Sequence, residues 1–294
     1  MPGSAASISL KPWQCVIVAW GDKYDAKDIS RIVVSVRRHA SIEPRIVLVT
    51  DRIRPNVPEC VLTAKIPKFF LDPVLRGSGC QTKLAIFESG VVPDDLPAIY
   101  VDLDTMVLGD LGELTEMLDN PETVAILQSA VVPIGAVGRA VWKLSKGRRF
   151  ARGNSSIVVF HPGKCGYIAK KFRELHARHS GIGIRPMIAD DRFISWVAQE
   201  NLRSVSRRFG VKFRTEFMLP WLWLAKVRSS LPWVRTRRDN LKAITFPGTS
   251  TKPEQLLSLS DGEIVKDYKN RKFIWSDAHL GATKQKIVEY YSAR

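Results

Sequence analysis

The chain has 294 residues, 45% apolar and 25% charged, which excludes disordered, collagen-like and coiled-coil proteins and leaves room for one large domain or two small ones. Residues 1–147 hold 16 Lys+Arg against 17 Asp+Glu, and residues 148–294 hold 29 against 12, so the whole formal excess of +16 falls in the second half. That asymmetry implies an anionic partner or surface, whether nucleic acid, phospholipid or a phosphorylated substrate. No apolar run approaches the ~20 residues of a bilayer span, and MPGSAASISLKPWQ has no signal-peptide apolar region. The cysteines at 15, 60, 80 and 165 make no C-x-x-C pair and no zinc-ligand spacing, so core thiols, kept reduced in a cytosolic protein, are expected.

In chain order, CVIVAW reads as a buried strand. Residues 26–40 then place Ile29, Ile32, Val33 and Val36 on one helical face, with Asp25 as N-cap. PRIVLVTD is a second strand, QTKLAIFES a short helix, PAIYVD a third strand, and ELTEMLDN a helix stopped by Pro121. TVAIL and SSIVVF continue as strands, followed by a helix near 164–178 and another through DDRFISWVAQE. The β-α-β alternation predicts an α/β fold with a mixed, mostly parallel sheet flanked by helices. Between Arg203 and Lys242 the pattern changes to eleven Lys+Arg against two Asp+Glu, interleaved with Trp221, Trp223 and Trp233. KAITFPGTSTKP reads as a strand entering a turn, and KQKIVEYYSAR as a short amphipathic helix or frayed tail.

The strongest chemical signal is AIYVDLDTMVLGDL. Side chains alternate along an extended segment, so Asp102 and Asp104 converge on one side while Leu103 points inward. Ligands of open α/β sheets bind beyond the carboxyl ends of strands, which places this pair where a divalent cation on a diphosphate would sit. A strand end with merely solvated aspartates is the bland reading.

This segment resembles the D-x-D motif of GT-A glycosyltransferases, in particular bacterial enzymes related to the retaining galactosyltransferase and glycogenin group. The resemblance runs in order from about residue 13 to 255. VAWGDKYD is similar to that group's first strand and nucleotide loop, CQTKLAIF to its basic segment before the D-x-D strand, and GNSSIVVF to its Asn-Ser strand. ADDRFISWV is similar to its Asp-Gln helix, and WLWLAKV with ITFPGTSTKP to its closing segment. The implied organisation is a GT-A nucleotide-sugar-binding core over 13–202, a basic Trp-rich closing segment over 203–255 and a C-terminal extension over 256–294.

The resemblance implies transfer of a sugar from a nucleotide-diphosphate sugar, a UDP-sugar by expectation, to a glycan or lipid-linked acceptor, with retention of anomeric configuration. Asp102 and Asp104 would hold Mn2+ or Mg2+, and Lys83 and Lys252 would contact the donor phosphates. Tyr24 would stack on the base, with Asp22 or Asp51 near the nucleoside; Asn154, Asp190 and Asp191 would face the reacting sugar. Each has a plainer reading: Lys83 a solvated side chain, Tyr24 a half-buried loop aromatic, Asn154 a turn residue, and Asp190 and Asp191 the N-cap of a helix beginning at Arg192. Two departures stand out: Pro247 occupies the place of the group's metal-binding His, in a loop one residue longer, and Asp191 replaces the usual Gln.

Two other functions compete. DLDT also fits the motif of haloacid-dehalogenase-type phosphatases, with Asp102 as nucleophile and Asp104 as acid, although about 100 residues and two strands precede it here. The basic half would alternatively make a non-catalytic protein binding nucleic acid or an anionic membrane. Beside a lipid-linked or surface glycan acceptor, a peripheral site on the inner face of the membrane through 203–242 is the simpler expectation than nucleic acid.

Overall fold

The structure, a computed structural model, describes residues 11–128, 132–179, 181–248 and 250–292. The first part runs β1 (Gln14–Ala19), α1 (Ala26–His39), β2 (Arg45–Thr50), β3 (Val61–Lys65), β4 (Ala98–Val101), β5 (Thr105–Val107), β6 (Val124–Gln128), α2 (Ala136–Leu144), β7 (Gly153–Phe160), α3 (Pro162–Cys165), α4 (Tyr167–Arg178), α5 (Asp190–Val197) and β8 (Leu202–Val205). There follow β9 (Gly210–Lys212), α6 (Phe213–Phe217), α7 (Leu222–Ser230), α8 (Pro232–Asp239), β10 (Ala243–Thr245), α9 (Pro253–Leu257), β11 (Ile264–Lys266), β12 (Lys272–Ile274), α10 (Asp277–Leu280) and α11 (Ala282–Ser292). Seven strands form the central sheet in the order β3-β2-β1-β4-β7-β6-β8. Neighbours are parallel except at β7, which is antiparallel to both β4 and β6. The expected mixed, mostly parallel α/β sheet is therefore present.

A strand covered on both faces has no need of polar alternation, and β1 is buried along its whole length. Cys15, Ile17 and Ala19 meet Ile29, Ile32, Val33 and Val36 of α1 in one core. Val16 and Val18 point into the opposite core, with Leu84, Phe87, Phe172 and Phe193. Helix α1 starts where Asp25 predicts: its carboxylate accepts from the Asp28 amide at 3.0 Å, and the Asp28 carboxylate accepts from the Asp25 amide at 3.2 Å.

Several elements depart from the sequence reading. Residues Gln81–Phe87 and Gly112–Met117 are tight 3₁₀ helices rather than α-helical turns. The first of these is buried on every side except at Lys83, so packing rather than helical periodicity holds it. PAIYVD ends as a strand at Val101, because the Thr105 amide bonds back to the Asp102 carbonyl at 3.0 Å and turns the chain into β5. The predicted N-cap role of Asp190 and Asp191 falls to Ala189 instead, leaving both aspartates inside the first turn of α5. Cys15 and Cys165 are core thiols as expected, whereas Cys60 is exposed on the approach to β3.

Strand β5 belongs to a second sheet, β5-β10-β9, in which it pairs antiparallel with β10. This sheet supports a third core, where Met106, Phe213, Phe217 and Phe246 meet Leu256, Phe273, Trp275 and Ile287. Side chains from 203–255 and 256–294 thus interleave in one apolar cluster. Beside it lies an unusual polar knot. The carboxylate of Glu216, on α6, is fully buried and accepts from Arg237 at 2.5 Å, Arg238 at 2.9 Å, Arg228 at 3.1 Å and Arg207 at 3.3 Å. Much of the basic tract is therefore internal structure: Arg238 is only 3% exposed.

Burial alone would raise the Glu216 pKa, but the arginines, Arg237 first, outweigh it and hold the carboxyl below its ordinary value. A depressed carboxyl contributes stability above its unfolded pKa and loses it as pH falls toward the folded value. Glu216→Gln leaves buried guanidinium charge without its partner and is expected to cost about 3–5 kcal/mol in denaturant unfolding. An unchanged midpoint would show that the knot contributes nothing to stability.

Candidate active site

The two acidic residues sit at the carboxyl end of β4, at the turn where the chain leaves the main sheet for the second one. The Asp102 amide donates to the Ser156 carbonyl of β7 at 2.9 Å, and the Phe246 amide donates to the Asp104 carbonyl at 2.9 Å. The motif is thereby stitched to both sheets. Leu103 points into the core while Asp102 and Asp104 stay outside it, as alternation predicts.

Each carboxylate has its own lysine. Lys83, from the 3₁₀ helix, places its ammonium 2.6 Å from Asp102 Oδ1 and 3.8 Å from Asp190 Oδ2. The Tyr100 hydroxyl donates to the same Asp102 oxygen at 2.5 Å, and the Ser155 hydroxyl donates to Asp190 Oδ2 at 2.7 Å. Lys252, leading into α9, donates to Asp104 Oδ2 at 2.5 Å. Four residues before it, Gly248 turns the chain with a φ of +84°, a left-handed conformation that a side chain would strain.

The electrostatics follow from burial and pairing. Burial would lower the Lys83 pKa, but Asp102, with Tyr100 and Asp190, outweighs it and holds the ammonium charged well above its usual range. Burial would raise Asp102, and Lys83 more than compensates, so that carboxyl lies below its ordinary value. Asp104 is raised by burial and by the charge of Asp102, against the pull of Lys252. Asp190 is pushed up to about 6, mainly by burial, with Lys83 only partly offsetting it.

The structure brings Lys83, Asp102, Asp190 and, through Lys252, Asp104 into one cluster. Tyr24 lies beside it, with Lys252 Nζ 6.0 Å from its ring centre. Burial, then Asp104 and Asp102, raises the Tyr24 phenol. A cavity of about 240 Å³ is lined by Tyr24, Asp104, Lys252 and Tyr291. A much larger cleft of about 1380 Å³, between α1 and α11, shares Tyr24 but touches neither Asp102 nor Asp104. Of the D-x-D pair, Asp104 lines the smaller one.

Other expected residues hold different places. Asp51 receives the Gly21 amide at 3.1 Å and pairs with Arg52 and Arg54, so it ties the loops after β1 and β2 together. Asp22 is largely solvent-exposed and paired with Arg52. Asn154 is buried at a β-bulge, its Oδ1 accepting from the Ser156 amide at 3.4 Å. Asp191 is gripped by one nitrogen of Arg152, 2.9 and 3.0 Å from its two oxygens. Tyr100, Ser155 and Arg152 escaped the sequence reading. Tyr100 alone carried a signal, since it lies two residues before Asp102 and shares its face.

Among the described residues no three His, Cys, Asp or Glu side chains come together to hold a metal. Pro247 supplies only its carbonyl, to the Thr251 hydroxyl at 3.1 Å. Two carboxylates nevertheless fit a hard divalent cation that brings water and diphosphate oxygens as its remaining ligands. Such a cation would have to compete with the ammonium groups of Lys83 and Lys252 for these carboxylates.

Lys83→Met would leave Asp102 and Asp190 as facing carboxylates with no cation between them. The expected cost is about 3 kcal/mol in unfolding free energy at about pH 8, shrinking toward about pH 5 as Asp190 takes up a proton. An equal cost at both values would contradict this assignment of charge.

No protein-family model matches the chain, and no curated protein matches it in sequence. Solved structures do match its architecture. The galactosyltransferase LgtC, solved with donor and acceptor sugar analogues, superposes with a TM-score of 0.54 at 16% identity, over 82% of this chain and 88% of that one. The bifunctional glycosyltransferase WbbM gives 0.56 at 17% identity over 98% of this chain, which spans 53% of WbbM. The glycosyltransferase GlyE of Streptococcus pneumoniae TIGR4 gives 0.50 at 14% identity, over 95% of this chain and 64% of that one. At these identities the likeness establishes the fold: this chain has a GT-A glycosyltransferase-like fold.

Proposed function

We propose that this chain is a glycosyltransferase that moves a sugar from a nucleotide-diphosphate sugar, a UDP-sugar by preference, onto a glycan or lipid-linked acceptor with retention of configuration. The observation that carries the reading is the pair Asp102 and Asp104 at the end of β4, each held by a lysine from a different element, within a GT-A fold. In this fold, a cation-rich strand end beside a stacking aromatic suits a nucleoside diphosphate rather than a phosphatase nucleophile.

The reaction breaks the bond between the anomeric carbon and the diphosphate oxygen, with the electron pair staying on phosphate. The acceptor hydroxyl makes the new bond, and its proton leaves with the diphosphate. Lys252 exchanges Asp104 for the β-phosphate as donor enters, countering the charge that develops there. Lys83 keeps Asp102 and Asp190 in place from beneath. Tyr24 covers the base, with Asp22 and Asp51 on the loops near the nucleoside, and Asn154 and Asp190 line the sugar side. Mn2+ or Mg2+, held by Asp102 and Asp104, would polarise the same phosphate oxygens when bound.

Asp191 is assigned an electrostatic role. A carboxylate paired with the Arg152 guanidinium is a weak nucleophile, yet it can favour oxocarbenium charge on a nearby sugar. Asp191→Asn is then expected to lower kcat by about tenfold to a hundredfold with donor affinity nearly unchanged. Unaltered turnover would remove Asp191 from catalysis.

Asp104→Ala lies outside the cores, so the fold is expected to survive while transfer falls by at least about a thousandfold. Calorimetry with Mn2+ should show strong uptake only when UDP is present, because the protein supplies too few ligands alone. Tight Mn2+ binding without nucleotide, or full transfer by Asp104→Ala, would defeat the reading.

A further inference from the structure

The Glu216 knot changes what the basic tract offers to solvent. With Arg228, Arg237 and Arg238 turned inward around that carboxylate, the outer side of α7 and α8 is left with a different set of residues. Trp221, Trp223 and Trp233 are 62%, 64% and 67% exposed, and Val227 is 51% exposed. On α7, Trp223, Lys226 and Val227 follow one another at helical spacing on the side opposite buried Ala225 and Ser229, so they share its outward face. Arg235 adds a second positive charge on the exposed side of α8, with its Nε donating to the Ser229 carbonyl at 2.8 Å.

Three large indoles left in water, Trp221 at the N-cap of α7 and the others on α7 and α8, are costly for a soluble surface, and isolated apolar residues do not account for them. Tryptophan beside lysine and arginine is the composition of the bilayer interface, where the ring lies among headgroups and the cation reaches lipid phosphate. A duplex nucleic acid would reward the cations but has no use for Val227 and Trp223 on one helix face. Among the described residues no helix is long and apolar enough to cross a bilayer, so contact would be peripheral.

We infer that α7 and α8 dock this protein on an anionic phospholipid surface, with Trp221, Trp223, Val227 and Trp233 entering the headgroup layer and Lys226 and Arg235 meeting lipid phosphate. This revises the sequence expectation of attachment through the charge of the basic tract over 203–242: Arg237 and Arg238 are committed to Glu216, and the tryptophans carry the attachment. The inference stands whether or not the cluster around Lys83 transfers sugar.

The test is flotation of the full chain with vesicles of equimolar phosphatidylglycerol and phosphatidylcholine in low salt, beside pure phosphatidylcholine vesicles and a DNA duplex. Binding is expected only to the anionic vesicles, with a blue shift of tryptophan emission. Trp223→Ser and Trp233→Ser are each expected to cut partitioning by about tenfold, from the area an indole buries. Lys226→Ser with Arg235→Ser should cut it further and remove much of its salt dependence. The tryptophan variants and Lys226→Ser should keep the wild-type unfolding midpoint, because those side chains are exposed, whereas Arg235→Ser also gives up the bond to the Ser229 carbonyl. No binding to anionic vesicles, binding indifferent to both tryptophan substitutions, or equal binding to DNA lost by the same substitutions would overturn the inference.

Discussion

Two carboxylates cannot share the dry end of a strand without a cation between them, and in this protein that cation is the ammonium of Lys83. It bridges Asp102 on the turn after β4 and Asp190 at the start of α5. Everything around it serves that bridge. The 3₁₀ helix buries its other side chains and so has one direction left for the lysine. Tyr100 and Ser155 fill the hydrogen-bonding capacity that Lys83 leaves over.

Lys252 plays a different part because its anchorage is different. It comes from the loop that joins β10 to α9 rather than from a packed helix, and its ammonium donates to Asp104 beside the Tyr24 ring. Asp104 is the carboxyl whose pKa burial and Asp102 raise, so it holds its charge less firmly than Asp102 does. A fixed inner pair and an exchangeable outer pair are what a site needs if it must bind a diphosphate and release it again. The third core sets the geometry of that outer pair, since Phe246 and Leu256 bracket the loop.

The sequence made the central sheet legible because its strands are buried on both faces and so appear as unbroken apolar runs. Edge strand β3 was invisible: its VLTAK has one exposed side and no apolar run. The antiparallel course of β7 could not be read either, because direction depends on how the chain returns and leaves no trace in composition. At the site, the D-x-D pair and the lysines were legible as residue types. Their pairing was not, since Lys83 and Asp190 lie more than a hundred residues apart. The basic tract misled for a related reason: counting charge cannot show that one buried glutamate consumes the better part of four arginines.

The claim that the Lys83 cluster builds a donor site is tested most directly by NMR-monitored turnover of a panel of nucleotide-diphosphate sugars, with and without Mn2+. The account predicts that at least one donor is cleaved or transferred in a metal-dependent manner, with the product sugar first appearing in the donor's own anomeric configuration. An unreacted panel would contradict the proposed activity, and an inverted product would contradict the retaining course.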